Sequence, residues 1–253
     1  MLRCSFSINR LNYWPRLSLQ QWNFGEDRGI VKKMAKPEQS GTVLTRDKLL
    51  EVAIDAFANA GYEGVGTREL AERAGTNLSA IRYHFGDKEG LYRAVIQHIS
   101  QGVQDRMSPF IERIRSRTER PNVTREELID SVCQLITGFA SQLLASGVGD
   151  NWARLVVREQ IKPTKAFDVM YSVFRLLLDG IAPIVAKIVG QPPDSEEVRI
   201  CAMTLVGQAL VFRTHRATAL KFIGWNTLGP KQISELQTVL SKQCRAILTF
   251  RSR

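Results

Sequence analysis

Cysteine, histidine and proline are scarce in this chain. Its 253 residues include 4 Cys, 3 His and 9 Pro. Cys4, Cys133, Cys201 and Cys244 stand far apart with no C-x-x-C pair, and His84, His98 and His215 have no metal-ligating neighbour close in sequence. A disulfide scaffold and a Cys/His zinc site are unsupported, and no metal is expected. With only 9 Pro and 18 Gly, both scattered, a fibrous or low-complexity protein is excluded. Long apolar runs are missing too. In the stretch 131–149, Ser131, Gln134, Thr137, Ser141, Gln142 and Ser146 interrupt apolar residues at helical spacing, so an amphipathic core helix is expected and no membrane partner. No G-x-S-x-G, P-loop, G-x-G-x-x-G or H-E-x-x-H motif occurs, and no nucleophile–base pair is visible. The expectation is a protein that is not an enzyme and uses no cofactor.

What remains is an ordinary globular balance, 44% hydrophobic and 24% charged, long enough for one or two domains with a core. The net charge of +10 suggests an anionic partner. Its distribution weakens that inference, because residues 42–92 carry 6 basic and 8 acidic side chains. Individual positions have to carry any argument for nucleic-acid binding.

Residues 1–33 show no sustained periodicity, and Trp14, Trp22 and Phe24 are scattered among polar residues. Residues 1–41 are expected to be a disordered or mis-assigned extension, of which 1–33 are dispensable for folding and operator binding, with Met34 as an alternative start. Arg3, Arg10 and Arg16 leave an organellar transit peptide or a basic arm along DNA phosphates as other readings.

From Thr45 the pattern becomes helical. Thr45 is expected to cap a first helix, with Leu49, Leu50, Ala53, Ile54, Phe57 and Ala58 as its apolar stripe and Gly61 as its stop. Thr67 is expected to cap a short second helix ending at Gly75. Only Thr76 and Asn77 precede the next helix, which Asn77 caps and Ile81 and Phe85 anchor, and Asp87 caps a fourth with Leu91, Val95 and Ile99 inside. So short a turn forces two helices to cross steeply, a helix-turn-helix over about 66–85. Leu78, Ser79, Arg82 and Tyr83 then face outward. Ser79 and Ala80 are small enough for close approach to DNA, Arg82 supplies donors for guanine or phosphate, and Tyr83 and His84 can donate to phosphate oxygens. His84 as a satisfied core histidine and a plain helical hairpin are the competing readings.

The run Thr67-Arg-Glu-Leu-Ala-Glu-Arg-Ala-Gly75, then Ile81-Arg-Tyr-His-Phe85, then Asp87-Lys-Glu-Gly-Leu91 resembles the TetR family of transcriptional regulators over roughly 45–99. The resemblance implies a phosphate contact at Thr67 and a base-edge contact at Arg68. It also implies groove-facing roles for Leu78, Ser79 and Arg82 and places Tyr83, His84 and Lys88 near the backbone; Asn77 and Ala80, read above as cap and close-approach residue, complete the candidate DNA-binding set. Arg82 departs from the family, which commonly has Tyr there, so its contact does not transfer.

Beyond Met107 every pattern is helical, with segments expected at about 103–117, 125–146, 150–162, 164–189, 195–220 and 230–250. Thr124, Asp150 and Thr164 are expected caps, and Pro183 is expected to kink or split its helix. Arg154 and Arg158 lie four apart on one helix face and repel, so each is expected to meet a separate acidic partner or an anionic ligand. With Trp152 before them and Phe167, Tyr171, Phe174 and Phe212 after, they form a candidate effector pocket. A structural Arg–Glu network under an ordinary core is the alternative. The faces Val198, Ala202, Leu205, Ala209, Phe212 and Ile233, Leu236, Leu240, Ile247 are candidate dimer surfaces. Residues 158–164, 212–213 and 224–225 resemble the CecR-like branch of that family, which implies repressors commonly tied to efflux or transport genes.

The sequence therefore predicts an all-α chain: a helix-turn-helix DNA-binding domain over 42–99 and a larger helical effector-binding and dimerisation domain over 100–253. The expected function is a cytoplasmic, homodimeric one-component regulator, a repressor that a hydrophobic or anionic small molecule releases from a palindromic operator in double-stranded DNA. A non-specific architectural DNA-binding protein and a helical small-molecule enzyme are the alternatives.

Overall fold

The structure, a computed structural model, describes residues 41–144 and 149–250, without the side chains of 41–44, 150 and 152. The expectations for residues 1–33 and for the Trp152 side chain lie outside the described residues. Among them are ten helices and no strand: α1 Gly41–Ala60, α2 Thr67–Arg73, α3 Leu78–Phe85, α4 Lys88–Thr118, α5 Arg125–Leu144, α6 Gly149–Ile161, α7 Phe167–Val189, α8 Glu196–Thr214, α9 Arg216–Ile223 and α10 Pro230–Phe250.

Local chemistry sets the ends of the short helices. Asn77 accepts a hydrogen bond from the Ala80 amide, and Asp87 accepts one from Gly90. Gly61 and Gly75 leave α1 and α2 at φ +77° and +64°, a left-handed turn that costs glycine nothing. Two expected caps are corrected. α1 starts at Gly41, so Thr45 lies within it, and Gly66 rather than Thr67 is the extended residue before α2. Thr124 behaves as expected, exchanging bonds with Glu127 in a reciprocal capping box. Thr164 instead precedes α7 by a turn, where its hydroxyl accepts from the Ala166 amide.

Four boundaries differ from the sequence reading. The helix begun at Lys88 does not stop near Ile99 but runs to Thr118, because Ile99, Met107, Ile111 and Ile114 keep one buried stripe through it. Gly102 within it costs only about 1 kcal/mol relative to Ala. The expected domain boundary at 99/100 therefore falls inside a helix. Pro183 does not split α7; it sits on an exposed side of an unbroken helix. The expected helix 195–220 is broken at His215, which ends α8 and begins α9. α6 begins at Gly149, so Asp150 is inside it.

Two main cores follow. One gathers Leu49, Phe57, Leu70, Ile81, Leu91 and Val95 beneath α1–α4, and it also takes in Leu155 of α6 and Met170 of α7. The other joins the second half of α4 to α5, α7, α8 and α10. α7 is long and apolar enough to cross a membrane by composition, with a mean hydropathy of 1.6 in its most apolar stretch. Here it packs against α4, α5 and α8. Gly180 makes the α4 crossing possible, since a Cβ there would come within 2.9 Å of Ile111.

Candidate functional site

α2 and α3 form a tight corner on α1 and α4. Ile81 is the buried anchor of α3, and Phe85 packs against the same core. One buried stripe on so short a helix leaves the opposite side bare. Leu78 is 47% and Tyr83 78% exposed, and Ser79 and Arg82 face solvent beside them. Ala80 and His84 are half-buried at the edges of the face. Ser79 donates to the Asn77 side chain at 2.5 Å, which fixes the start of the helix. The His84 ring lies edge-on to Tyr83 at 4.9 Å and tilted to Phe85 at 6.1 Å. At the start of α2, Arg68 is exposed and Thr67 half-buried.

Lys88 begins α4, where the helix dipole disfavours a cation. Its ammonium lies over the Tyr62 ring at 4.5 Å, a cation–π contact that offsets that penalty. Sequence reasoning missed Arg46, whose guanidinium sits 5.5 Å over the Phe85 ring and adds a cation beside the end of α3. Its signal, a lone Arg on the polar side of α1, does not stand out in sequence.

α6 ties this unit to the body. Asn151 donates to Asp55 at 3.2 Å, Arg154 to the Asn59 side chain at 2.7 Å, and Arg158 to the Asn59 carbonyl at 3.0 Å. The Arg158 guanidinium lies so close to Gly61 that a Cβ there would meet it at 2.7 Å. Glu159, 1% exposed, accepts from the Tyr92 hydroxyl at 2.7 Å and from the Thr164 hydroxyl and amide. A buried carboxylate needs such donors. Burial, and then the bond to Glu159, push the Tyr92 phenol far above its ordinary pKa.

The candidate pocket residues separate. Arg154 and Arg158 were expected to need acidic partners or an anionic ligand. Instead both meet neutral oxygens of Asn59 at the carbonyl end of α1, where the dipole favours cations. They line a hollow of about 310 Å³ with Ala58, Arg213 and Arg216. Phe167 and Tyr171 stack on each other at 6.2 Å, with Tyr171 exposed. Phe212 packs near Ala140, Leu228 and Leu236. Of the expected aromatic wall only Phe174 reaches the apolar cavity, about 100 Å³, that lies between α4, α5, α6 and α7. Ile99, Met107, Phe139, Leu143 and Met170 line it, and Arg106 and Gln142 add polar groups. Arg106 was missed although a helix was expected over 103–117, because nothing local shows that this helix borders a cavity.

The candidate dimer stripes are also corrected. Val198, Ala202, Leu205 and Ala209 of α8 and Leu236 and Leu240 of α10 are buried within the chain. The faces left open carry Ile200, Met203 and Val211 on α8 and Val239 on α10.

A helix-turn-helix with a bare outer face, joined by one continuous helix to a body with an internal apolar cavity, is an arrangement suited to a helical DNA-binding transcriptional regulator. Residues 49–95 match the bacterial regulatory proteins of the tetR family, and residues 128–249 match the C-terminal domain of the HTH-type transcriptional dual regulator CecR. The chain belongs to the TetR family, with a CecR-type C-terminal domain. It is 29% identical over 184 residues to the dual regulator CecR of Shigella flexneri, covering 71% of this chain and 80% of that one. It is 27% identical over 148 residues to the transcriptional repressor AcnR of Corynebacterium glutamicum, covering 54% and 79%. AibR, solved in complex with isovaleryl coenzyme A and operator DNA, shares the fold at a TM-score of 0.57 and 12% identity, covering 79% of this chain and 97% of that one.

Proposed function

We propose that this protein is a cytoplasmic homodimeric repressor that leaves a palindromic operator when a small molecule enters the α4–α7 cavity. The observation that carries the reading is the double membership of α4. Leu91, Val95 and Ile96 of its first half belong to the core beneath the helix-turn-helix, while Val103, Met107 and Ile111 of its second half line the cavity. A ligand that pushes α4 aside inside the body moves the start of the same helix, at Lys88, beside the recognition helix α3. Two copies have to hold their α3 helices about 34–36 Å apart to enter successive major grooves. A coupling of about 1–3 kcal/mol between cavity and spacing is enough for control.

On this reading Arg82 reaches a base edge, with Leu78, Ser79 and Ala80 against the groove and Asn77 setting the helix start. Arg68 reaches a second base edge, and Thr67, Tyr83, His84 and Lys88 hold the flanking backbone. The second copy docks on the outward faces of α8 and α10. α6 acts as a strut, through Arg154 and Arg158 to α1 and through Glu159 to Tyr92. The likeness of residues 158–164, 212–213 and 224–225 to CecR-like regulators supports transport or efflux genes as targets, and the relative AcnR, named a repressor, supports the sign.

The test is fluorescence anisotropy with the full-length protein on the inverted repeats upstream of its gene and on random duplex of equal length, across a salt series. Preference for one repeat by a hundredfold or more at near-physiological salt is expected. Equal affinity with a steep salt slope would make the protein an architectural DNA binder instead.

A further inference from the structure

The polar groups on the wall of the apolar cavity are few and unequal. Among the described residues the wall carries no acidic side chain, one basic one, Arg106, and one neutral polar one, Gln142. Arg106 is already engaged within the chain. Asp105 beside it favours its charged form, and burial opposes that form. An acid entering the cavity would have to take Arg106 from an interaction that it already makes, and no second cation lines the wall. An amine would meet no carboxylate there and one positive charge. Either ion would exchange water for apolar groups, a cost that an uncharged molecule escapes.

Gln142 differs from Arg106. Its side-chain amide makes no hydrogen bond to another described residue, so its donor and its acceptor are both open to a guest. It stands three residues after Phe139 on the face of α5 that lines the cavity, so a ring against Phe139 lies within reach of it. Phe174 offers a second aromatic wall. Met107 and Met170 add thioethers, which contact ring edges favourably and adapt to the shape of a guest. The volume is about 100 Å³. An apolar cavity of about 150 Å³ takes up benzene, so a single ring fits here with a small movement of the methionines, and two fused rings do not.

We infer that the effector is an uncharged single-ring aromatic alcohol or phenol, its ring held among Met107, Phe139, Met170 and Phe174 and its hydroxyl paired with the Gln142 amide. The inference rests on the reading of this cavity as the effector site. The hollow beside α1 suits such a molecule less, because Arg154, Arg158, Arg213 and Arg216 make up half of its lining. A ring lodged against Met107 presses on α4 about 28 Å along the helix from Lys88, at a rise of 1.5 Å per residue.

Isothermal titration of the full-length protein with four probes on one frame tests this: benzyl alcohol, its apolar analogue ethylbenzene, benzoate and benzylamine, each at up to millimolar concentration and neutral pH. Benzoate and benzylamine are expected to bind at least tenfold more weakly than benzyl alcohol. Gln142→Leu should weaken benzyl alcohol fivefold or more relative to ethylbenzene, about 1 kcal/mol, because it removes the hydroxyl's partner and leaves the ring's contacts in place. Benzoate or benzylamine binding as tightly as benzyl alcohol would overturn the uncharged class and leave the cavity reading standing. An unchanged ratio of benzyl alcohol to ethylbenzene in Gln142→Leu would overturn the hydroxyl assignment in the same way. Failure of all four probes to bind would overturn both the inference and the cavity reading. If Gln142→Leu does not fold, the ranking of the alcohol against the two ions in the unaltered protein still decides.

Discussion

The helices around the recognition corner and the helices of the body differ in what fixes them. α2 and α3 are 7 and 8 residues long, and glycine turns or side-chain caps set their ends. Each has one buried stripe and one bare face, so knowing the inside gives the outside. The body helices α5, α7, α8 and α10 run 19–23 residues, and α5, α7 and α8 are apolar on more than one side. Their stripes can be satisfied by a neighbour in the same chain, by a second copy or by a ligand, and nothing local distinguishes these. The two regions are nevertheless not independent, because α4 and α6 carry core residues, hydrogen bonds and cavity wall from one to the other.

The strongest test of that linkage is Phe57→Ala. Phe57 is fully buried and meets Tyr92 edge-on at 5.0 Å in a core that also holds Leu155 and Met170. The loss should be about 3–5 kcal/mol in denaturant titration. Circular dichroism and tryptophan fluorescence should still report one shared transition. Separate transitions for the two regions would break the claim that they form one cooperative unit.

A change confined to the bare face should act in the opposite way. Arg82→Ala should leave the melting temperature unchanged and cost about 1–3 kcal/mol of operator affinity, with far less effect on random duplex. Equal losses on both duplexes would reassign Arg82 to the DNA backbone.

Tyr92→Phe probes the strut between the regions. It removes one of three donors to the buried Glu159 carboxylate and should cost about 1–3 kcal/mol near pH 7. Because the folded-state pKa of Tyr92 is raised, its contribution is complete below the ordinary value of 10.0 and declines as pH rises above it. Stability of the unaltered protein should therefore fall more steeply above about pH 10 than that of Tyr92→Phe. Parallel curves in urea titrations from pH 7 to 11 would contradict the buried assignment.

A small effect on stability is expected at Arg158, which is exposed and meets one main-chain oxygen. Arg158→Met should cost under about 1 kcal/mol. If α6 is the strut, the same variant should weaken the release of DNA by a cavity ligand severalfold. An unchanged response would confine Arg158 to capping α1.

Much of the recognition corner was legible because its signals are short-range. Asn77 and Asp87 are read as caps from their own chemistry, and the outward position of Arg82 follows from Ile81 being inside. The exceptions were also local. Thr45 and Thr67 are sound cap residues, but α1 starts a turn earlier and Gly66 takes the capping position at α2. In the body, the existence of helices was legible and their assignments to surfaces were not. Phe174 shares a helix and a period with Phe167 and Tyr171, yet it alone of the three lines the cavity.

The sequence by itself determined an all-α chain, the helix-turn-helix at 67–85, its outward face and the family to which it belongs. These rest on period, caps and turn residues within a few positions of one another. Only the tertiary structure decided that α4 is continuous past Ile99, that Arg106 stands on a cavity wall, that Arg154 and Arg158 brace α1, and that the Cys133 thiol of α5 donates to the Ser241 carbonyl of α10. A helical period states that a face is buried. What buries it depends on how helices distant in the chain cross, and that geometry is set by the packing of all of them together.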